Sequence, residues 1–190
     1  MSDGAGGWRR CRFGPRLELA SDVVRDPRPS PSVTVAFAVV KGSRPEWAVQ
    51  KLTEVGVDRI VPLVTARSVV RWSPGSGHVD RLRRVAREAA MQSRRSWLPA
   101  VDDVTGFDAM VAEAGATLAQ AGGAPPSLDR TLVLVGPEGG WDDAELVSGL
   151  PPVGLGPRIL RTETAAVVVG TLLCALRAGT VGPATADPGG

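Results

Sequence analysis

The most regular feature of the chain is a set of unbroken apolar runs. VTVAFAVV (33–40), RIVPLV (59–64) and TLVLVG (131–136) are rich in β-branched residues and do not alternate with polar ones. That pattern predicts strands covered on both faces. Between the first two, Ala48, Leu52 and Val55 recur at helical spacing. Ser43 stands at the cap position, Pro45 in the first turn and Gly56 at the stop. Residues 79–93 give the clearest amphipathic helix, with Leu82, Val85, Ala86 and Ala89 on one side and Arg83, Arg84 and Arg87 on the other. A helix is also expected over 107–120, a loop over AGGAPPS (121–127), a short strand near 153–155 and a helix over 163–178. Asp142 with Glu145 three residues on predicts a capped helix start. Strands alternating with helices predict an α/β fold with a parallel sheet covered on both sides. Residues 1–31 hold one or two short strands at most, and GTVGPATADPGG at the end reads as a disordered tail.

Composition narrows the chemistry. The 190 residues include one histidine, His78, no tyrosine and two distant cysteines, Cys11 and Cys174. A histidine-based triad and most zinc sites are therefore excluded, no metal is expected, and the cysteines read as idle or core thiols. No apolar run reaches the roughly 20 residues of a membrane span, and the first residues lack a signal-peptide core. A cytoplasmic protein is expected. The net charge of +2 hides an asymmetry: between Arg67 and Arg95 eight arginines face only Asp80 and Glu88. A face so one-sided suits a polyanion. Arg67, Arg83, Arg87, Arg94 and Arg95 are the candidates for nucleic-acid contact, with Trp97 nearby for stacking. Lys51 and Glu54 read as a surface ion pair.

Two segments carry candidate chemistry. VGPEGGWDDAE (135–145) lies after a buried strand and before a capped helix, where α/β sheets place ligand loops. It has Glu138 and no lysine, so a phosphate loop is disfavoured, and with no GK[ST] motif anywhere a nucleotide hydrolase is excluded. A tight turn and a ligand loop both fit this stretch on its own. LGPRILRTETA (155–165) is likewise either a plain strand-to-helix turn or one wall of a binding site.

Taken together, QKLTEVGVDRIVPLVTARSVV (50–70), EAAMQSRR (88–95), VGPEGG (135–140) and LGPRILRTETA (155–165) resemble the bacterial small-subunit ribosomal RNA uridine-N3 methyltransferases of the SPOUT superfamily. The resemblance covers about residues 33–178 in the family's order. It implies a SPOUT-type parallel sheet with a C-terminal deep trefoil knot, in which 155–165 threads an earlier loop and binds S-adenosylmethionine bent against GPEGG. Leu134, Gly136, Gly140, Leu155, Gly156, Ile159, Leu160 and Arg161 match positions that contact the cofactor. Methylation of N3 of a uridine in small-subunit (16S) ribosomal RNA follows, by a homodimer that needs no metal. Arg161 is the candidate for stabilising charge on the base and Glu138 for removing its proton. Met91 departs from the acid that many relatives carry there. The resemblance also implies an N-terminal PUA-like barrel. Only residues 1–31 precede the first long strand, so a remnant and linker are expected there, a methyltransferase domain over 32–179 and a tail over 180–190. On that basis the chain is expected to bind cofactor yet methylate weakly or not at all alone. The rival reading is a non-catalytic RNA-binding remnant of such an enzyme.

Overall fold

The computed structural model describes residues 1–73 and 75–182, so the expected tail lies outside the described residues from 183 onward. The N-terminal segment carries four two-residue strands rather than one or two. β1 (Gly7–Trp8) pairs antiparallel with β4 (Val24–Arg25), and β2 (Cys11–Arg12) with β3 (Glu18–Leu19). There follow β5 (Thr34–Ala38), α1 (Arg44–Val55), β6 (Arg59–Val64), α2 (His78–Gln92), β7 (Ala100–Val101), β8 (Thr105–Gly106), α3 (Phe107–Val111), β9 (Ala116–Ala124), β10 (Leu132–Val135), α4 (Asp143–Leu146), β11 (Pro152–Val153) and α5 (Thr162–Arg177).

The main sheet runs β11-β9-β10-β5-β6-β7, with β8 also on β6, and each of these pairs is parallel. Its central strands have no solvent face. Every residue of β5 and β10 is buried, as their unbroken apolar runs require. One side of the sheet is packed by α1, α2 and α5 around Phe37, Leu52, Ile60 and Leu173. The other is packed by Phe107, Met110, Leu118 and Trp141. At the contact between α5 and α1 space is set by Gly170. A Cβ there would stand 2.7 Å from Leu52 Cδ2 and 2.8 Å from Val57 Cγ2, both in fully buried side chains. Gly170→Val is therefore expected to cost about 1–3 kcal/mol by overpacking. Urea unfolding measures this, and an unchanged midpoint would contradict the packing argument.

One element differs in kind from the sequence reading. The expected helix 107–120 stops after Val111, and residues 116–124 form a strand between β10 and β11. The alanine-rich composition favours a helix, but tertiary context overrides so weak a preference. Gly115 at φ +79° turns the chain, Leu118 is buried, and the Thr117 hydroxyl donates to Leu132 O at 3.0 Å. Boundaries elsewhere shift little. Ser43 precedes α1 without capping it through its side chain, whereas Asp142 and Glu145 complete a reciprocal capping box on α4. Lys51 and Glu54 pair at 2.7 Å. Cys174 is buried, and burial pushes its thiol up to about 11, so it stays protonated as a core group.

Candidate functional site

The two loops singled out in the sequence come together at the ends of β10 and β11. Residues 136–140 leave β10, residues 155–161 connect β11 to α5, and a cavity of about 350 Å³ lies between them. That size is within the range of small-molecule and cofactor sites. Gly136, Gly140, Leu155, Gly156, Ile159 and Leu160 line it, as does Glu138. Two expected contacts stand apart. Leu134 is fully buried in the core behind the wall, and Arg161 is exposed at the N-cap of α5 outside the lining.

Backbone conformation explains the glycines. Gly140 has φ +71° and Gly156 φ +112°, and a Cβ at either would meet no protein atom within 4 Å. Open space beside the backbone is what close approach by a ligand requires. Gly136 is different: a Cβ there would come within 3.0 Å of the Trp141 ring. The loops are also tied to each other. The Thr162 hydroxyl donates to Gly136 O at 2.9 Å, and Trp141 Nε1 donates to Ala119 O at 3.0 Å.

Sequence reasoning missed the third wall. Pairing of β9 with β11 jumps from Leu118 to Ala124, and within the bulge between them Ala119, Gln120 and Ala121 line the cavity. No motif announces these residues, because they lie where a helix and a loop were expected. Gln120 brings the amide of that wall.

Charged groups surround the rim. Arg44, the first residue of α1, donates from Nη1 to Glu138 Oε1 at 2.7 Å, and the same nitrogen is 3.7 Å from Glu163 Oε1. The bond to Glu138 holds the Arg44 guanidinium above its usual range. Arg67 donates to Gly139 O at 3.2 Å and lies 3.5 Å from Asp142, so it braces the loop as well as facing solvent. Glu145, buried, accepts from Ala66 N–H and Asp142 N–H at 2.8 and 2.9 Å and links the loop after β6 to α4.

The arginine face divides on inspection. Arg87 and Arg94 are exposed and form no ion pair among the described residues. Arg83 pairs with Asp80 and Asp103 at 3.2 and 3.0 Å and donates to Val101 O, so most of its donors are spoken for. Arg95 corrects the expectation outright. Its side chain is 12% exposed and donates to Thr53 O and Val57 O, both at 2.8 Å, beside Asp58. Burial lowers its pKa, an effect partly opposed by Asp58. Trp97 is also internal to the fold: its Nε1 donates to Asp26 O and Pro27 O, and Arg28 stands 5.6 Å over the ring. It anchors the N-terminal segment, half-buried, with its N–H already engaged.

Comparison with known proteins fits this geometry. The model of the RNA methyltransferase domain family matches residues 27–174, across both loops. The chain belongs to the RNA methyltransferase domain family. Curated relatives include "Ribosomal RNA small subunit methyltransferase E" of Mycobacterium bovis, 35% identical over 88% of this chain and 74% of the relative. The Synechocystis protein of the same name is 34% identical over 87% of this chain, which spans 62% of that relative's length. Among solved structures, "Ribosomal RNA small subunit methyltransferase E" from Neisseria gonorrhoeae bound to S-adenosyl methionine aligns with a TM-score of 0.75 at 25% identity, over 93% of this chain and 81% of that one. The RNA methyltransferase fold thus has a mostly parallel central sheet here, as the resemblance implied. No helix among the described residues is long and apolar enough to cross a membrane.

Proposed function

We propose that this chain transfers the methyl group of S-adenosylmethionine to N3 of a uridine in small-subunit ribosomal RNA, acting as a homodimer in the cytoplasm. The observation that carries this reading is the cavity between residues 136–140 and 155–160, open at Gly140 and Gly156 and placed where the family's motifs meet. Relatives named for small-subunit rRNA methylation, one of them holding S-adenosyl methionine, support it. We further read 32–179 as the methyltransferase domain, 1–31 as the end of a PUA-like barrel, and 155–161 as the threaded segment of a deep trefoil knot. The parallel order β11-β9-β10, with the connection from β11 to α5 lining the cavity, supports the last of these.

Bound in this cavity, S-adenosylmethionine would supply a methyl group already activated on a sulfonium, so no metal is called for. The chain's own work is to bind, orient and balance charge. Gly140 and Gly156 give the backbone room for the ligand, Gly136 gives room to the Trp141 ring, and Leu155, Leu160 and the bulge at 119–121 exclude water. Neutral uridine N3 carries a proton and is a poor nucleophile. Arg161, exposed at the start of α5 next to the cavity-lining Thr162, is in this reading the group that stabilises negative charge on the base's oxygens. Glu138 enters as a carboxylate already bonded to Arg44. The test is transfer of labelled methyl from S-adenosylmethionine to small ribosomal subunits that lack the modification, followed by mass spectrometry of the nucleoside. Label appearing at a position other than N3 of uridine, or none at all, would refute the reading.

The exposed arginines make a separate prediction. Binding to a ribosomal RNA fragment should weaken as salt rises, and Arg87→Ala should flatten the log–log slope by about 0.7–0.9 for each phosphate that the arginine had neutralised. Arg83→Ala should change the slope less, since Asp80 and Asp103 already neutralise that side chain. Fluorescence anisotropy across a salt series separates the two, and equal slopes for Arg87→Ala and wild type would mean a merely solvated face.

A further inference from the structure

Three charged side chains beside the cavity are not paired one to one. Arg44 Nη1 bonds Glu138 Oε1 at 2.7 Å and lies 3.7 Å from Glu163 Oε1, so one guanidinium serves two carboxylates. The other Glu163 oxygen, Oε2, is buried and has no hydrogen-bond partner. The Glu163 side chain is only 10% exposed, in the first turn of α5, while Glu138 is 55% exposed at the rim. A buried carboxylate oxygen without a partner has given up its hydration and gained nothing in exchange, so it costs free energy. A donor that could serve this carboxylate, Arg44, stands 3.7 Å from its other oxygen and is held by Glu138.

The cavity adds a second asymmetry. Among the residues lining it, Glu138 is the one acid and Arg158 the one base. Arg158 is exposed and forms no ion pair among the described residues. The remaining lining is apolar or neutral, with the Gln120 amide and Thr162 hydroxyl as its polar side chains. One acid and one base at the edge of an apolar cavity match a ligand with an apolar body and a zwitterionic end. The amino-acid end of S-adenosylmethionine, an ammonium beside a carboxylate, has that form.

We propose that Glu138 and Arg158 receive the ammonium and the carboxylate of the cofactor's amino-acid end, and that Arg44 is a positioning residue that passes from Glu138 to Glu163 when that end arrives. This rests on reading the cavity as the S-adenosylmethionine site. Until the ammonium takes its place, Arg44 is the partner of Glu138 and compensates its charge. As the ammonium takes Glu138, Arg44 turns to Glu163 and satisfies the oxygen now left bare. The exchange moves no proton and leaves every charge paired. It also couples occupancy of the cavity to the start of α1 and the first turn of α5, the elements that carry Arg44 and Glu163.

The test uses titration calorimetry on the full chain with two probes, S-adenosylmethionine and 5′-methylthioadenosine, which has the same nucleoside, a neutral thioether in place of the sulfonium, and no amino-acid end. Glu138→Gln and Arg158→Met should each weaken S-adenosylmethionine about tenfold, the scale of one charge-assisted hydrogen bond, and leave methylthioadenosine unchanged. Glu163→Gln should weaken S-adenosylmethionine alone, and should have no further effect in a Glu138→Gln background, because Arg44 then has nothing to leave. Thermal midpoints measured alongside confirm that each variant is folded; Glu138 and Arg158 are exposed enough for substitution to be tolerated. Equal losses for both probes, additive losses in the double variant, or full S-adenosylmethionine affinity in Glu138→Gln would overturn the proposal while leaving the functional reading intact. Wild-type protein that binds neither probe would overturn both.

Discussion

Replacing Asp58 with alanine is expected to destabilise the fold by about 3–5 kcal/mol, the range for removing one partner of a buried ion group. Asp58 sits in the turn between α1 and β6 with its side chain 9% exposed. Arg177, from the last turn of α5, bonds its Oδ2, and Arg95 lies 3.6 Å from its Oδ1. Both guanidinium groups are only 12% exposed. Asp58 Oδ2 also accepts the Val33 N–H at 2.9 Å, while the two arginines bond the carbonyls of Pro31, Thr53, Gly56 and Val57. The alanine variant would leave two buried cations with carbonyl partners alone and no countercharge. Asp58→Asn keeps an acceptor for Val33 and should cost less than alanine, though more than an exposed substitution. Urea unfolding of the three proteins measures the series. Equal stability of wild type and Asp58→Ala would mean that the carbonyl bonds alone hold the arginines.

That cluster shows where sequence reading reached its limit. Arg94 and Arg95 are adjacent in the chain and read alike as parts of a basic face. Arg94 takes a left-handed conformation, φ 55°, at the end of α2, and the turn sends Arg95 inward to the α1–β6 turn. No periodicity rule distinguishes the two, because the deciding contact is with Asp58, distant in sequence. The buried strands were legible for the opposite reason: an unbroken β-branched run has few other uses. β10 falls within its predicted stretch and β6 matches it residue for residue. The capping box at Asp142 was legible because its partners are three residues apart. β9 was not, since alanine and glycine say little about state, and its placement depends on β10 and β11 on either side. For the site, the two loops and most of their lining could be named from motifs. Arg44 could not. It lies 94 residues from Glu138, and only folding of α1 against the cavity's edge joins them.

The site's own sharpest prediction concerns Gly140. Gly140→Val should weaken S-adenosylmethionine by about a hundredfold or more, equivalent to roughly 2.7 kcal/mol. The residue has φ +71°, its N–H donates to Pro137 O at 2.8 Å to close the loop, and the Cβ direction points into space holding no protein atom within 4 Å. The added Cβ would meet no protein atom and would instead occupy room on the cavity wall. The valine also imposes a β-branched residue on a left-handed conformation, at about 1–2 kcal/mol, which could loosen the loop and lower affinity indirectly. A control separates these effects. Gly115 has φ +79° with the same empty surroundings, but it lies between α3 and β9 and does not line the cavity. Gly115→Val carries the same backbone penalty and should leave ligand affinity within about twofold. Calorimetry for affinity and thermal unfolding for stability, on both variants, decide the matter. If the two valines lose stability alike and only Gly140→Val loses the ligand, the loss is steric exclusion from the cavity. If Gly140→Val binds as well as wild type, the loop 136–140 does not form the wall of the cofactor site.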